Sequence, residues 1–368
     1  MLKVILVLKV LQDIHLLIPS YGHLPLRITQ YLIEPYIWFL NHKRCTMINF
    51  SNVKQWNILD KEVAEARLNG VVVWRKPDAR LYTPFYVENT TTSMEQLKIF
   101  KDISSSGSTV SRAPDITIEY STDNINWNTL GSTRGTSYSY PLTLSIAAKT
   151  KVYLRSVVSA WCVYYSKSSS YPNESGYYYN VITGVDTVGG NIMSLIYGGN
   201  YVNKYSLNKE NLFGFLFESS SVVSAKELIL PAKNISNGCY RDMFRFCYSL
   251  KYAPESLPAT TLADACYALM FYDCTALTTA PELPATTLAE HCYDSMFEVC
   301  TSLTTAPELL APTLVSGCYR EMFNGCSKIK LSQTQEGEYQ TAYRIPPTGS
   351  ASWNVFSGAA SSMFSSTG

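Results

Sequence analysis

The second half of the chain contains four copies of one block, Cys-Tyr-x-x-Met-Phe-x-x-Cys, at a nearly constant spacing of 26 or 27 residues. The copies begin at Cys239, Cys266, Cys292 and Cys318. A fixed period in this range is the sequence signature of a repeat protein whose copies stack into a solenoid. Such a fold has a continuous core and an extended surface, which suits ligand binding better than catalysis.

The composition narrows the class of partner. The chain has 368 residues and 46% apolar residues, enough for more than one globular domain. Only 16% of its residues are charged, and 30 Lys and Arg nearly balance 29 Asp and Glu. The sequence therefore offers no basic stripe for a nucleic acid. A polar surface built from Ser, Thr, Asn and 27 tyrosines is typical of extracellular and virion proteins.

Eight of the ten cysteines belong to the blocks. On a helix, the two cysteines of one block would lie roughly 12 Å apart along the axis. That separation is too long for a disulfide within a block, and structural zinc prefers ligands two to four residues apart. We therefore predict buried free thiols with no metal and no cofactor, and disulfides between neighbouring repeats remain the alternative.

The amino-terminal part divides into three segments. Residues 1–46 have no cleavage site and no apolar span long enough for a bilayer, and they are interpreted as an atypical leader or an upstream translation preceding Met47. A membrane-directed leader is the competing interpretation. Residues 47–103 form a predicted small β unit with a hairpin at Asn69-Gly70. The Ser- and Gly-rich residues 104–113 are a predicted linker.

Residues 114–183 alternate apolar and polar side chains in short runs, which predicts a β-sandwich of immunoglobulin-like type. Residues 184–211 are predicted to form a hairpin cap in which Val185–Val188 and Ile192–Tyr197 flank Gly189-Gly190. The repeats are assigned to 212–331. Residues 332–368 are predicted to be irregular and incomplete, although Met363-Phe364 repeats the block dipeptide.

Within a repeat, the spacing of apolar residues predicts a helix. Leu288, Cys292, Met296 and Cys300 recur every four residues after a capping box at Thr287. A short extended segment follows at 303–306, and Pro307 ends it. The expected fold class is therefore α+β multidomain, an immunoglobulin-like β-sandwich followed by a helix-plus-strand solenoid. Equivalent aliphatic residues should form one buried ladder: Leu250, Leu277, Leu303 and Ile329.

The run Met296-Phe297-x-x-Cys300-x-x-Leu303-x-x-Ala306 resembles the BspA-like leucine-rich repeat, with a period of 26–27 residues rather than 23 and Ala and Pro replacing strand isoleucines. The resemblance covers about residues 210–331. It implies a surface-displayed adhesion or ligand-binding protein of gut and oral bacteria. The long form containing Pro281–Leu288 also resembles repeats in gut phage tail or fibre proteins.

No combination of residues predicts catalysis. His291 is the only histidine after residue 46, and it would lie on a different helical face from Cys292. Two sets of residues are candidate ligand-binding positions instead. The first set would line the strand face of the repeats: Tyr252, Thr278, Thr304 and Lys330. The second set belongs to a tyrosine-rich stretch, and ordinary strand packing is the alternative explanation for it: Tyr177, Tyr178 and Tyr179.

We therefore expect a non-enzymatic recognition protein at the cell surface that binds a host or cell-surface protein or a glycan. The alternative is a virion protein, structural or used in phage attachment. We expect no nucleic-acid partner and no membrane span. The repeats suit both roles, so the fold class does not separate them.

Overall fold

A computed structural model describes the chain at residues 12–18, 22–27, 32–33, 36–41, 44–49, 57–58, 61–62, 65–68, 71–75, 79–103, 113–158, 161–165, 176–329 and 363. The chain divides into two compact units, Met1–Ala79 and Arg80–Gly368. Each unit has sheets of its own.

The described part of the first unit consists of short strands. These are β1 (Gln12–Ile18), β2 (Gly22–Arg27), β3 (Leu32–Ile33), β4 (Tyr36–Asn41), β5 (Arg44–Asn49), β6 (Asn57–Ile58), β7 (Lys61–Glu62), β8 (Glu65–Leu68) and β9 (Val71–Arg75). They form sheets in the orders β2-β1-β8-β9, β3-β4-β5 and β6-β7. The antiparallel pairing of β8 with β9 confirms the predicted hairpin, whose turn residues Asn69-Gly70 lie outside the described residues.

The second unit contains two larger sheets. Its strands are β10 (Tyr86–Asn89), β11 (Glu95–Ile103), β12 (Thr117–Ser121), β13 (Asn128–Ser132), β14 (Leu142–Ile146), β15 (Thr150–Arg155), β16 (Cys162–Tyr165), β17 (Gly176–Thr183), β18 (Thr187–Asn191) and β19 (Ser224–Ile229). One sheet has the order β13-β12-β15-β10-β18-β19 and the other β14-β11-β17-β16. Only the β18–β19 pair is parallel within these two sheets.

The two sheets and the cysteine blocks share one hydrophobic core. Val87 and Leu154 come from the first sheet, Leu97 and Ile182 from the second, and the blocks add their Met-Phe dipeptides. Period-two alternation of strand side chains places these residues on the inner faces. The blocks therefore continue the core of the sheets.

The predicted fold class is wrong. The described chain is mainly β, and its only α-helix, α1 (Ser194–Tyr197), lies outside the blocks. No helix-plus-strand leucine-rich-repeat solenoid is present at 212–329, because the blocks consist of turns and the strand of each predicted repeat is reduced to isolated bridges such as Tyr252 with Thr279. The immunoglobulin-like sandwich predicted at 114–183 also fails, since β10, β11, β18 and β19 complete its sheets from outside that range.

The predicted hairpin at Gly189-Gly190 is wrong as well, because both glycines lie inside β18. A Cβ atom on Gly189 would lie 2.3 Å from the ring of Tyr86, and one on Gly190 would lie 2.1 Å from the carbonyl oxygen of Pro84. Glycine is therefore required here because the segment at Pro84 and Tyr86 approaches closely, and not because the chain turns between two strands.

Each block is a ribbon of overlapping turns. From Cys239 to Cys247, the N–H of every odd-numbered residue donates to the carbonyl three residues earlier. From Gly238 to Phe246, the N–H of every even-numbered residue donates to a carbonyl of the next block, as Phe244 does to Met270 over 2.9 Å. Half of the N–H groups thus close turns and half join neighbouring blocks. In an α-helix the N–H groups bond within the helix, so none would be available to join blocks.

The backbone of the ribbon has a positive φ at every fourth residue, which a right-handed helix excludes. Glycine and asparagine take this conformation without strain. The blocks also place ordinary residues there, and the stack holds them in place. The positive-φ positions in the four blocks are Gly238, Asp242 and Phe246; Ala265, Leu269 and Asp273; His291, Ser295 and Val299; and Gly317, Glu321 and Gly325.

Equivalent side chains of successive blocks lie directly on one another. The rings of Phe244 and Phe271 are 5.5 Å apart at 7°, and those of Tyr240 and Tyr267 are 5.7 Å apart at 2°. Full burial of such a ring contributes roughly 1.5–3 kcal/mol. The aliphatic ladder predicted from the sequence is also buried, which confirms its place in the core: Leu250, Leu277, Leu303 and Ile329.

The second cysteine of each block has a definite partner. The thiol of Cys274 donates to the carbonyl oxygen of Phe244 over 3.1 Å, and Cys300 donates to that of Phe271 over the same distance. These carbonyls already accept one N–H within their own block, so the thiol uses their second lone pair. This position therefore suits a small apolar side chain that carries a weak hydrogen-bond donor, and cysteine has both properties.

Candidate functional site

The loops that follow the blocks form a groove along one side of the stack. One cleft of about 480 Å³ lies between the loops at Thr279–Pro284 and 305–310. A second cleft of about 570 Å³ lies between the loops at Tyr252–Ser256 and Thr279–Glu282. Both are lined by Thr279, Ala280 and Glu282, so the two clefts adjoin the same loop, and we call them together the loop groove.

Two of the predicted strand-face residues lie beside the loop groove and one lines it. Tyr252 lines the second cleft with 41% of its surface exposed. The hydroxyl of Thr278 donates to the carbonyl of Lys251, and that of Thr304 donates to the carbonyl of Thr278. These threonines therefore fasten one loop to the next. Lys330 lies outside the described residues.

A row of carboxylates follows the loop groove. The tripeptide Ala-Pro-Glu occurs in three successive loops and ends at Glu255, Glu282 and Glu308, all of which are exposed and line the clefts. Glu227 takes the equivalent place one loop earlier, in β19. Repetition of a loop at a fixed period stacks its residues in register, so one carboxylate recurs in each loop.

An arginine of the same unit already binds the first two carboxylates. The Nη2 atom of Arg80 lies 2.8 Å from the Glu255 carboxylate, and its Nη1 atom lies 3.8 Å from that of Glu227. Nη1 also donates to the carbonyl of Lys226 over 3.5 Å. All these groups are partly exposed, so solvent weakens the pairs. They show how a guanidinium fits this edge of the groove.

The predicted tyrosine set lies elsewhere, where β17 meets the first cysteine block and the ribbon of turns at 211–219 that precedes it. The hydroxyl of Tyr179 donates to the carboxylate of Glu218, and its ring stacks on Phe215 at 4.4 Å. The hydroxyl of Tyr177 accepts from Arg241 over 2.8 Å. Tyr178 pairs through its backbone with Val163 and Ile103. The described side chains of this set therefore join a sheet to a ribbon, and neither lines the loop groove.

Burial changes the acid–base properties of this junction. It raises the pKa of Glu218 to about 7, and it raises the pKa of the Tyr179 hydroxyl as well. Burial also raises the pKa of Asp242, against the opposing effect of Arg241 and Arg245, which bind its carboxylate at 3.0 and 3.3 Å. A carboxyl with a raised pKa keeps its proton to higher pH, so this junction is sensitive to pH near neutrality.

Among the described residues, no group of three or more His, Cys, Asp or Glu side chains is placed so that it could hold a metal ion. His291 pairs with Asp294 at 2.9 Å, and Arg320 completes that ion-pair group at 2.7 Å. Across the described ranges, no helix has the length and apolar character needed to cross a bilayer.

Sequence reasoning missed the carboxylate row, although a signal for it was present. The tripeptide Ala-Pro-Glu recurs with the same period as the cysteine blocks. A charged residue at a repeated surface position cannot be there for the core, so its recurrence indicates a surface role. Comparison with protein-family models, curated proteins and solved structures gives no match for this chain.

Proposed function

We propose that this chain is a non-enzymatic recognition protein that acts at a cell surface, where the loop groove binds a protein or a glycan. The observation that carries the proposal is the groove itself. It spans several loops, is concave, and combines an exposed aromatic ring with carboxylates and hydroxyls. Binding sites commonly have this composition, a largely apolar surface with a few polar groups that orient the ligand.

Tyr252 is the expected anchor of the groove. The residue is 41% exposed, and Lys251 Nζ lies 5.2 Å from the centroid of its ring. A rigid amphipathic side chain loses little entropy when it is covered by a ligand, which is why tyrosine is frequent in binding surfaces. The hydroxyl of Thr279, in the same cleft as Tyr252, and that of Thr305, in the other cleft, can donate to or accept from a ligand.

A binding survey with matched variants tests the proposal. The purified full-length chain is applied to a glycan array and to immobilised cell-surface proteins, together with Tyr252→Ala. We expect at least one saturable ligand whose affinity falls roughly tenfold in Tyr252→Ala, the loss of an interface anchor. Tyr248→Ala is the control, because Tyr248 is 55% exposed and lies outside both clefts. The proposal fails if no ligand binds, or if both variants bind as the parent does.

A further inference from the structure

The carboxylate row of the loop groove is neutralised at one end only. Arg80 binds Glu227 and Glu255, and Lys226 lies at the same end. Glu282 and Glu308 are exposed at the equivalent positions of the next two loops, and no Lys, Arg or His of the described residues forms an ion pair with either. The far half of the groove therefore has an anionic edge without a counterion from the described chain.

We propose that the loop groove binds a basic segment of a partner polypeptide, with Arg or Lys side chains on Glu282 and Glu308. This inference rests on the proposed function and names its ligand class. Arg80 supplies the model for the interaction, because its guanidinium spans two carboxylates of the same row. A bound segment with Arg or Lys on one face would form the same kind of ion pair with Glu282 and Glu308, which lie one and two loops beyond Glu255.

The lining of the groove favours this partner over a neutral glycan. The cleft that Glu282 and Glu308 share is also lined by Ala280, Pro281, Leu283 and Ala306, and by Leu310, which is 51% exposed. Arg and Lys bury their aliphatic stems on such apolar surface while their charged ends reach polar groups at its rim. Charge complementarity of this kind raises the rate of association and excludes acidic partners.

The spacing of the row suits an extended segment. Successive blocks are about 5.5 Å apart, as measured between the rings of Phe244, Phe271 and Phe297. Side chains on one face of an extended chain recur at about 6.6 Å. The flexible stems of Arg and Lys cover this small difference, so basic residues at alternate positions reach consecutive carboxylates.

The test uses a synthetic peptide in which Arg alternates with Ser, and a matched peptide in which Glu replaces Arg. Calorimetric or fluorescence titration of the full-length chain should show saturable binding of the Arg peptide at low salt and none of the Glu peptide. Glu282→Gln and Glu308→Gln should each weaken the affinity roughly twofold to fivefold, as expected for exposed ion pairs. Added salt should weaken the parent more than the double variant.

Glu290→Gln is the matched control, since Glu290 is exposed, undergoes the same charge change and lies outside both clefts. Equal weakening in this variant would show a general charge effect and overturn the inference, as would failure of the Arg peptide to bind. If a neutral glycan bound in a Tyr252-dependent manner and the Arg peptide did not, this inference would fall while the proposed function stood. If the Arg peptide bound as expected and the survey found no cell-surface ligand, the inference would hold and the proposed function would fall.

Discussion

The backbone N–H of Phe323 donates to the carbonyl oxygen of Met363 over 2.9 Å. The same relation links the phenylalanine of every earlier ribbon to the methionine of the next one: Phe217 to Met243, Phe244 to Met270, Phe271 to Met296 and Phe297 to Met322. Met363 is 2% exposed and therefore takes the next place in this series, although a much longer stretch of chain precedes it. The order of the stack thus extends past the last cysteine block.

Removal of a buried hydroxyl should stabilise the protein. The hydroxyl oxygens of Tyr240, Tyr267 and Tyr293 are buried, and none has a hydrogen-bond partner among the described residues. A buried polar atom without a partner costs about 1–3 kcal/mol. Tyr267→Phe should therefore raise the free energy of unfolding by about 1 kcal/mol in denaturant titration. Tyr319→Phe, whose hydroxyl is not among these atoms, should change it little; a destabilised Tyr267→Phe would contradict the account.

Stability should depend on pH through Glu218. Burial raises the pKa of this carboxyl from 4.5 to about 7, so between these values the folded state binds a proton that the unfolded state has released. The free energy of unfolding should therefore fall as pH rises from about 4.5 to about 7, by a contribution on the order of 3 kcal/mol. The positive charge of Arg245 lowers the pKa of this carboxyl, and the negative charges of Asp242 and Asp102 raise it.

Glu218→Gln removes the titrating group and keeps its shape. Thermal or denaturant unfolding over the same pH range should show a smaller loss of stability in this variant than in the parent. Glu290→Gln is the control, because Glu290 is exposed, and it should retain the parent profile. An unchanged slope in Glu218→Gln would assign the pH dependence to another group.

Val299 should be a site of backbone strain. Its φ is 62°, a conformation that costs an L-residue roughly 1–2 kcal/mol and that β-branched side chains adopt least readily. Glycine takes the equivalent place in the next block, at Gly325. Val299→Asn should raise the unfolding free energy by about 1 kcal/mol, because asparagine tolerates this conformation. Val223→Asn, at an exposed valine of ordinary φ, should give no gain.

The thiols should resist modification in the native state. The nine cysteines with described side chains are buried thiols that form no disulfide, and burial raises the pKa of Cys247 and Cys326 to about 12. Since the thiolate is the reactive form, a thiol reagent at neutral pH should label them only after unfolding. Rapid labelling of several thiols in the native protein, or recovery of fewer than nine after denaturation under non-reducing conditions, would contradict this structure.

The sequence was sufficient to predict which block residues are buried, and it failed to predict their backbone. Cys239, Met243 and Cys247 recur every four residues, close enough to the 3.6-residue period of a helix to be taken for one. The ribbon has a true period of four, set by its positive-φ residues. Glycine at three of these positions is a sequence signal for positive φ: Gly238, Gly317 and Gly325. Leu269 and Val299 also have positive φ, but only because neighbouring blocks hold them in that conformation.

The site was predicted only in part. The period of the repeats predicted that Tyr252 lies on their strand face, and that residue lines the loop groove. Tyr177 and Tyr179 were candidate binding residues, with strand packing as the alternative, and their partners, Arg241 and Glu218, lie far along the chain. Contacts between residues so distant in sequence depend on how the sheet meets the ribbon, and no local pattern encodes them.

Hydrogen bonds between blocks join the same two positions each time, the phenylalanine of one block and the methionine of the next, as in Phe271 with Met296 and Phe297 with Met322. Every block therefore presents the same set of partners to the next. The stack can therefore gain or lose a whole copy without changing how its neighbours fit. A duplication of one copy would lengthen the groove by about 5.5 Å and add one carboxylate to its edge. Loss of a single residue inside a ribbon would instead exchange the N–H groups that close turns with those that join blocks, so the length of the groove changes readily only in units of one copy.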